Sequence, residues 1–225
     1  MTSRSLSPAA YRRAERLLAE RDPVLRGIIA RCGRCGLAGS QREDPFTALV
    51  EAIVWQQLSG KAAATIYGRL LTRLPGGGPP APAALAALGE DEMRAAGLSR
   101  AKSAYIKDLA RRVLDGSVDL HALDALDDEA VIAELTKVKG IGRWTAEMFL
   151  MFRLHRPDVF PMDDLGIVNA IVRAYRLRKT PTRPRLEKLA ERWRPYRSVA
   201  SWYLWASLDV VPATPGAAGK AASAA

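Results

Sequence analysis

A chain of 225 residues, 48% hydrophobic and 26% charged, has the make-up of a globular protein and not of a disordered or fibrous one. Its 34 lysines and arginines against 24 acids leave a formal net charge of +10, which favours a polyanionic partner, nucleic acid first. No stretch approaches the roughly 20 uninterrupted apolar residues of a membrane span, and the N-terminus lacks the apolar core of a secretory signal, so a cytoplasmic protein, nucleoid-associated if bacterial, is expected.

In chain order, the only cysteines, Cys32 and Cys35, come first, spaced as CxxC in "RCGRCGLAG". The only histidines, His121 and His155, are too distant to complete a zinc set, and the flanking glycines suit a turn better than a thioredoxin-like motif. Two ordinary thiols at a helix end are expected, in a reducing compartment. From Phe46 the apolar positions Leu49, Val50, Ile53, Val54 and Leu58 keep the helical period, behind a cap and proline at Asp44-Pro45. Ser59-Gly60 breaks that helix, and Ser59 can cap the next, with Ala63, Ile66, Tyr67 and Leu70 on its apolar side. "LPGGGPPAPAALAALGED" is a connector in which only Ala83–Leu88 can make a short helix. Ser99 opens a basic amphipathic helix, "LDDEAVIAELTKV" is another capped helix, and helices follow Asp163-Asp164 and fill "RLEKLAERWRPYRSVASWYLWASL". Residues 212–225 have the composition of a disordered tail. No alternating segment reads as a strand, so the expectation is an all-α fold.

Between two of these helices lies "VKGIGRWTAEMF". Glycine inside a helix costs about 0.5–1 kcal/mol relative to alanine, so Gly140 and Gly142 need a reason. One reading is a plain helix–helix turn. The other is a hairpin whose unpaired N–H groups at the start of the second helix hold a phosphate, with Lys137, Lys139 and Arg143 adding charge. A dinucleotide fingerprint is disfavoured, because the third glycine is missing and the preceding segment is helical.

"LTKVKGIGRWTAEMF" resembles the helix-hairpin-helix of the HhH-GPD superfamily of DNA glycosylases, and within it the AlkA-type 3-methyladenine DNA glycosylase II branch. Three further segments match in the expected order: "DPFTALVEAIVWQQLSGKAAATIYGRL" with its QQxS motif, "GLSRAKSAYIKDLA", and "DVFPMDDLGI". The likeness spans roughly residues 20–210 and is to the compact, all-helical form, without the N-terminal β-domain of the longest members. It implies one glycosylase domain over residues 1–211 made of two helical subdomains with a cleft between them. One subdomain would gather the central helices, about 46–150, and the other the N- and C-terminal segments.

The resemblance also implies site residues. Asp164 aligns with the superfamily's catalytic aspartate, with Asp163 its neighbour or cap. A carboxylate about 4 Å from the positive charge that builds on the sugar as its bond to the base breaks is worth about 4 kcal/mol at an effective dielectric of 20, roughly a thousandfold in rate. Alkylated purines already carry positive charge on the base and so leave without strong acid assistance, and no second acid is required. Trp144 stands where bifunctional relatives carry a nucleophilic lysine, so lyase activity is not expected; its indole face suits a flipped cationic base. Trp205 would lie across that base pocket and Met148 would line it, where long-form enzymes have a tyrosine; Trp193 and Trp202 read as packing. Gln57 or Leu58 would fill the gap left in the stack. Lys137, Lys139, Gly140, Gly142, Arg143 and Thr145 would face the DNA backbone. No cofactor is required, although relatives hold a monovalent cation on carbonyls that map to Thr136, Val138 and Gly140, with Lys139 replacing the usual proline.

Double-stranded DNA carrying alkylated bases, of the 3-methyladenine and 7-methylguanine type, is the partner so implied, and a monomer without an obligate protein partner or membrane is expected. The rival class is a non-catalytic, structure-specific DNA-binding protein that uses the same hairpin. Asp164 separates the two, since a pure binder gains nothing from a carboxylate that repels phosphate. A glycosylase for etheno adducts is the third alternative.

Overall fold

The computed structural model describes residues 5–39 and 44–209, and every regular element among them is helical. In order these are α1 (Pro8–Arg21), α2 (Pro23–Cys32), α3 (Pro45–Trp55), α4 (Gly60–Leu71), α5 (Pro82–Ala87), α6 (Glu90–Ala96), α7 (Arg100–Leu114), α8 (Asp128–Leu135), α9 (Arg143–Met148), α10 (Leu165–Ala174), α11 (Arg183–Ala190) and α12 (Arg197–Ala206). Short 3-10 turns occur at Gly36–Gly39, Pro75–Gly77 and Glu191–Trp193, and a π-helical turn follows α9 at Phe149–Arg153. None of these helices is long and apolar enough to cross a membrane. The stretch 212–225 lies outside the described residues.

Two compact units divide the chain, one drawn from residues 5–39 and 150–209 and the other from 44–149. In the first, α1 and α12 pack on α2, and α10 packs on α12. Its core holds Leu18, Leu25, Ile28, Ile171, Trp193, Tyr203 and Trp205. At its centre Asp22 is fully buried. The carboxylate caps α2 through the N–H groups of Val24 (2.9 Å) and Leu25 (3.3 Å), and accepts from the Tyr175 hydroxyl (2.5 Å) and the Trp193 indole (3.0 Å). Four donors answer the desolvation that would otherwise penalise a buried carboxylate by several kcal/mol. Burial, with Asp22 beside it, pushes the Tyr175 phenol up in pKa, so it stays a donor. Trp193 is thus packing, as its helical spacing suggests. Cys32 ends α2, and the buried Cys35 donates its N–H to Glu15 (2.8 Å). Burial raises the pKa of both thiols, which opposes the thiolate that metal binding or redox chemistry needs.

In the second unit, α3 starts as its sequence requires, with Asp44 accepting from the Thr47 N–H (2.9 Å) and Pro45 in the first turn. It ends at Trp55 rather than running to Leu58, because Gln56 leaves the helix and Gln57 turns to φ +58°. Ser59 occupies the cap position of α4 without a side-chain cap bond, so the break there is made by the backbone and not by the hydroxyl. The Pro/Gly connector contributes α5, seated on α7 through Leu85. The core gathers Leu49, Ile53, Leu70, Met93, Ile106, Leu109, Leu135, Val138 and Ala146.

Candidate active site

The stretch with two glycines joins α8 to α9 within the second unit. The two residues are glycines for different reasons. Gly140 has φ +81°, and a Cβ there would stand 2.1 Å from the Tyr105 ring, so the fold itself excludes any side chain. Gly142 has φ −93°, and nothing lies within 4 Å of where its Cβ would be. Only the second leaves open space that an approaching phosphate backbone can use. Gly142 caps α9, and the first intrahelical bond runs from Ala146 N–H to Gly142 C=O (3.1 Å), so the N–H groups of Arg143, Trp144 and Thr145 precede it.

The charges around this turn differ from expectation. Arg143 is held by both oxygens of Glu129 and by Glu147 (3.1 Å), and Lys137 pairs with Glu134 (2.6 Å). Both side chains beside the turn are therefore ion-paired in this structure. Arg143–Glu147 is an i,i+4 pair that the spacing already allowed. Among the described residues, no carboxylate pairs with Lys139, which is exposed. Thr145 is buried, so only its backbone N–H can serve DNA.

Asp108, a residue that the sequence did not single out, sets the hairpin's position. Its carboxylate accepts from the Lys139 N–H (3.0 Å), Arg112 (2.8 Å) and Arg111 (2.9 Å). Burial works to raise its pKa, but the Lys139 N–H and the two arginines outweigh it and hold the group at about 2. On the other side, the Gln56 amide donates to the Gly140 carbonyl (2.8 Å). These bonds reach 31 and 84 residues along the chain, and no local pattern announces them.

That bond also bears on the cation expected at Thr136, Val138 and Gly140. The Val138 carbonyl already accepts from Ile141 (3.1 Å) and the Gly140 carbonyl from Gln56. A carbonyl oxygen has two lone pairs, so each of these two retains one beside the N–H that it accepts.

The tip that follows α3 carries both wedge candidates outward: Gln57 is exposed, and Leu58 is 38% exposed, high for a leucine. On α9, Trp144 is 42% exposed while Met148, one turn on, is buried. Trp144 is thus partly open to solvent, and little of Met148 is.

In the first unit, Asp164 caps α10 through the Ile167 N–H (2.8 Å), and the same carboxylate oxygen, Oδ1, accepts the Trp205 indole N–H (2.9 Å). Trp205 is 1% exposed and stacks on Phe152, with ring centres 6.2 Å apart and planes at 23°. The ring is enclosed in this structure, and its edge holds the aspartate. Gly166 makes this possible, since a Cβ there would come within 3.0 Å of Asp164 Oδ1 and 3.1 Å of the indole. Asp163 points elsewhere, 70% exposed and paired with Arg183 at 2.8 Å. Of the two acids, Asp164 alone is built into a site. Trp202, at intermediate exposure, packs edge-on against Tyr203 and is no part of it.

A helix-hairpin-helix turn that presents backbone N–H groups, and an aspartate fixed at a helix start some twenty residues later, define a class. Over residues 50–195 the chain matches the HhH-GPD superfamily of base excision DNA repair proteins, and it belongs to that superfamily. It is 38% identical over 166 residues to DNA-3-methyladenine glycosylase 1 of Schizosaccharomyces pombe, covering 73% of this chain and 73% of that protein. An alkylbase DNA glycosidase-like protein of the same organism is 29% identical over 197 residues, covering 87% and 92%. The fold is also that of a solved structure, a 3-methyladenine DNA glycosylase of S. pombe in complex with abasic DNA, with a TM-score of 0.76 at 34% identity over 90% of this chain and 100% of that one.

Proposed function

We propose that the protein is a monofunctional DNA glycosylase that hydrolyses the N-glycosidic bond of alkylated purines in duplex DNA, 3-methyladenine and 7-methylguanine among them, and leaves an abasic site. The observation that carries this reading is Asp164, held on one oxygen by the α10 backbone and by the Trp205 indole. A carboxylate fixed in this way stabilises charge where it develops on the sugar and can orient the attacking water, without reorganising during the reaction. The alkylated base is cationic while still attached and leaves neutral as it takes the bond's electron pair, so the reading needs no acid opposite Asp164 and no cofactor. Trp144 supplies an exposed indole for the flipped base, and with it in the lysine's place no Schiff base forms. The protein then works in the DNA-containing compartment, the cytoplasm in a bacterium, as a monomer on damaged duplex.

Base release from methylated duplex DNA tests this directly, wild type against Asp164→Asn. Expected is release of free methylated purine by the wild type and a loss of about a thousandfold in the variant, the equivalent of about 4 kcal/mol, with DNA binding retained. Release that survives the substitution would remove Asp164 from the chemistry. Tight binding by a wild type that releases nothing would instead favour the structure-specific binder.

A further inference from the structure

We infer that Lys102 is the positioning residue for the tip Gln57–Leu58: its ammonium, gripping the carbonyls at the end of α3, fixes the tip in the shape that enters the DNA stack. The inference rests on the base-flipping reading above. Gln57 adopts φ +58°, a left-handed conformation that a residue with a side chain holds only where its surroundings impose it. Hydrogen bonds from three donors around it impose it.

Lys102, in the first turn of α7, donates from Nζ to the Val54 carbonyl (2.7 Å) and to the Gln56 carbonyl (2.7 Å). The last carbonyls of a helix have no intrahelical donor and carry the negative end of its dipole, so a cation there is favoured on both counts. Burial lowers the lysine's pKa, as befits an amine that has exchanged water for these carbonyls. The second bond runs from Leu58 N–H to the Trp55 carbonyl (3.2 Å), closing the turn. The third is the Gln56 amide on the Gly140 carbonyl (2.8 Å).

The functional consequence lies in that third bond. Gln56 is gripped at its carbonyl by Lys102 and at its amide by the hairpin, so the residue just before the tip ties it to the hairpin at a set spacing within one unit. A side chain that replaces an extruded base must arrive at the nucleotide whose backbone is being held. A loose tip would have to be ordered at the moment of insertion, whereas a clamped one is ordered beforehand. A solvated surface lysine has neither of these bonds, and Lys107, one turn and a half further along α7, has none like them among the described residues.

The test uses the whole protein and a duplex carrying 2-aminopurine stacked beside an abasic-site analogue. Its fluorescence rises when the neighbouring stack is opened, whether or not any bond is hydrolysed. Expected for Lys102→Met is duplex affinity, by anisotropy, within about threefold of wild type, but loss of most of the fluorescence rise at saturation, with base release from methylated duplex down about tenfold or more. Lys102→Arg, which keeps a charged donor, should restore most of the rise. Should the Met variant melt well below wild type, Lys102→Gln, neutral but still able to donate to one carbonyl, decides by the same readout and is expected to fall between. A full fluorescence rise in folded Met or Gln variants would overturn the inference, as would failure of the Arg variant to restore any of it. A wild type that unstacks the duplex yet releases no base would defeat the enzyme reading and leave the role of Lys102 standing.

Discussion

At the hairpin, side chains hold a backbone: Asp108 takes the Lys139 N–H, and Gln56 donates to the Gly140 carbonyl. At the start of α10, a backbone and an indole hold a side chain, with Ile167 and Trp205 donating to Asp164. Under the proposed function, the inversion follows from what each region would meet. A phosphate is the same at every nucleotide, so peptide N–H groups at a helix start suffice to bind it, provided that the chain is kept in an unusual turn. A developing charge on one sugar needs a carboxylate at one point, so the effort goes into a single rotamer. Each region also contains a glycine that makes room: Gly140 for the Tyr105 ring, and Gly166 for the pair of Asp164 and Trp205.

Substitutions at the hairpin test the first half of this contrast most sharply. Gly140→Ala meets both a left-handed φ and the Tyr105 ring, so a loss of about 2–5 kcal/mol of stability is expected, readable by urea or thermal unfolding. Gly142→Ala has open space and an ordinary φ, so it should unfold within about 0.5 kcal/mol of wild type while weakening duplex binding. If the two behave alike in the melt, the two glycines do not have the separate roles assigned here. For the second half, Trp205→Phe keeps a ring against Phe152 but removes the donor to Asp164. A fall in the rate of base release of about tenfold with little change in apparent substrate affinity is expected, as for a hydrogen bond to a charged group worth about 1.5 kcal/mol. An unchanged rate would mean that the α10 backbone alone orients the carboxylate.

A further effect concerns pH. Asp108 is held at about 2 when folded, below the usual carboxylate value. A depressed folded pKa adds stability that is fully present above the unfolded value near 4 and is lost as pH falls through about 2. Asp108→Asn should therefore cost about 1–2 kcal/mol at neutral pH, and the difference from wild type should close between about pH 4 and pH 2. A gap that persists at pH 2 would mean that packing, not charge, ties Lys139 to α7.

Periodicity and caps alone located most of the helices, because Asp44, Ser99, Asp127 and Asp164 precede runs whose apolar residues recur at the helical spacing, and those signals are local. Motif order pointed to the superfamily, the hairpin and Asp164 for the same reason: each motif is a few adjacent residues. What was not legible is what connects elements far apart in the chain. Nothing near Asp108 marks it as the anchor of a peptide 31 residues away, and nothing near Lys102 marks it as the cap of a helix 46 residues back. The chemistry of Trp205 and Met148 was legible in the sequence, but not that both side chains are buried, at 1% and 8% exposed. Local pattern decides which residues turn, cap and carry charge. Only packing decides which of those charges are spoken for across elements, since Arg143 meets Glu129, and Lys139 keeps its exposure, when the helices come together.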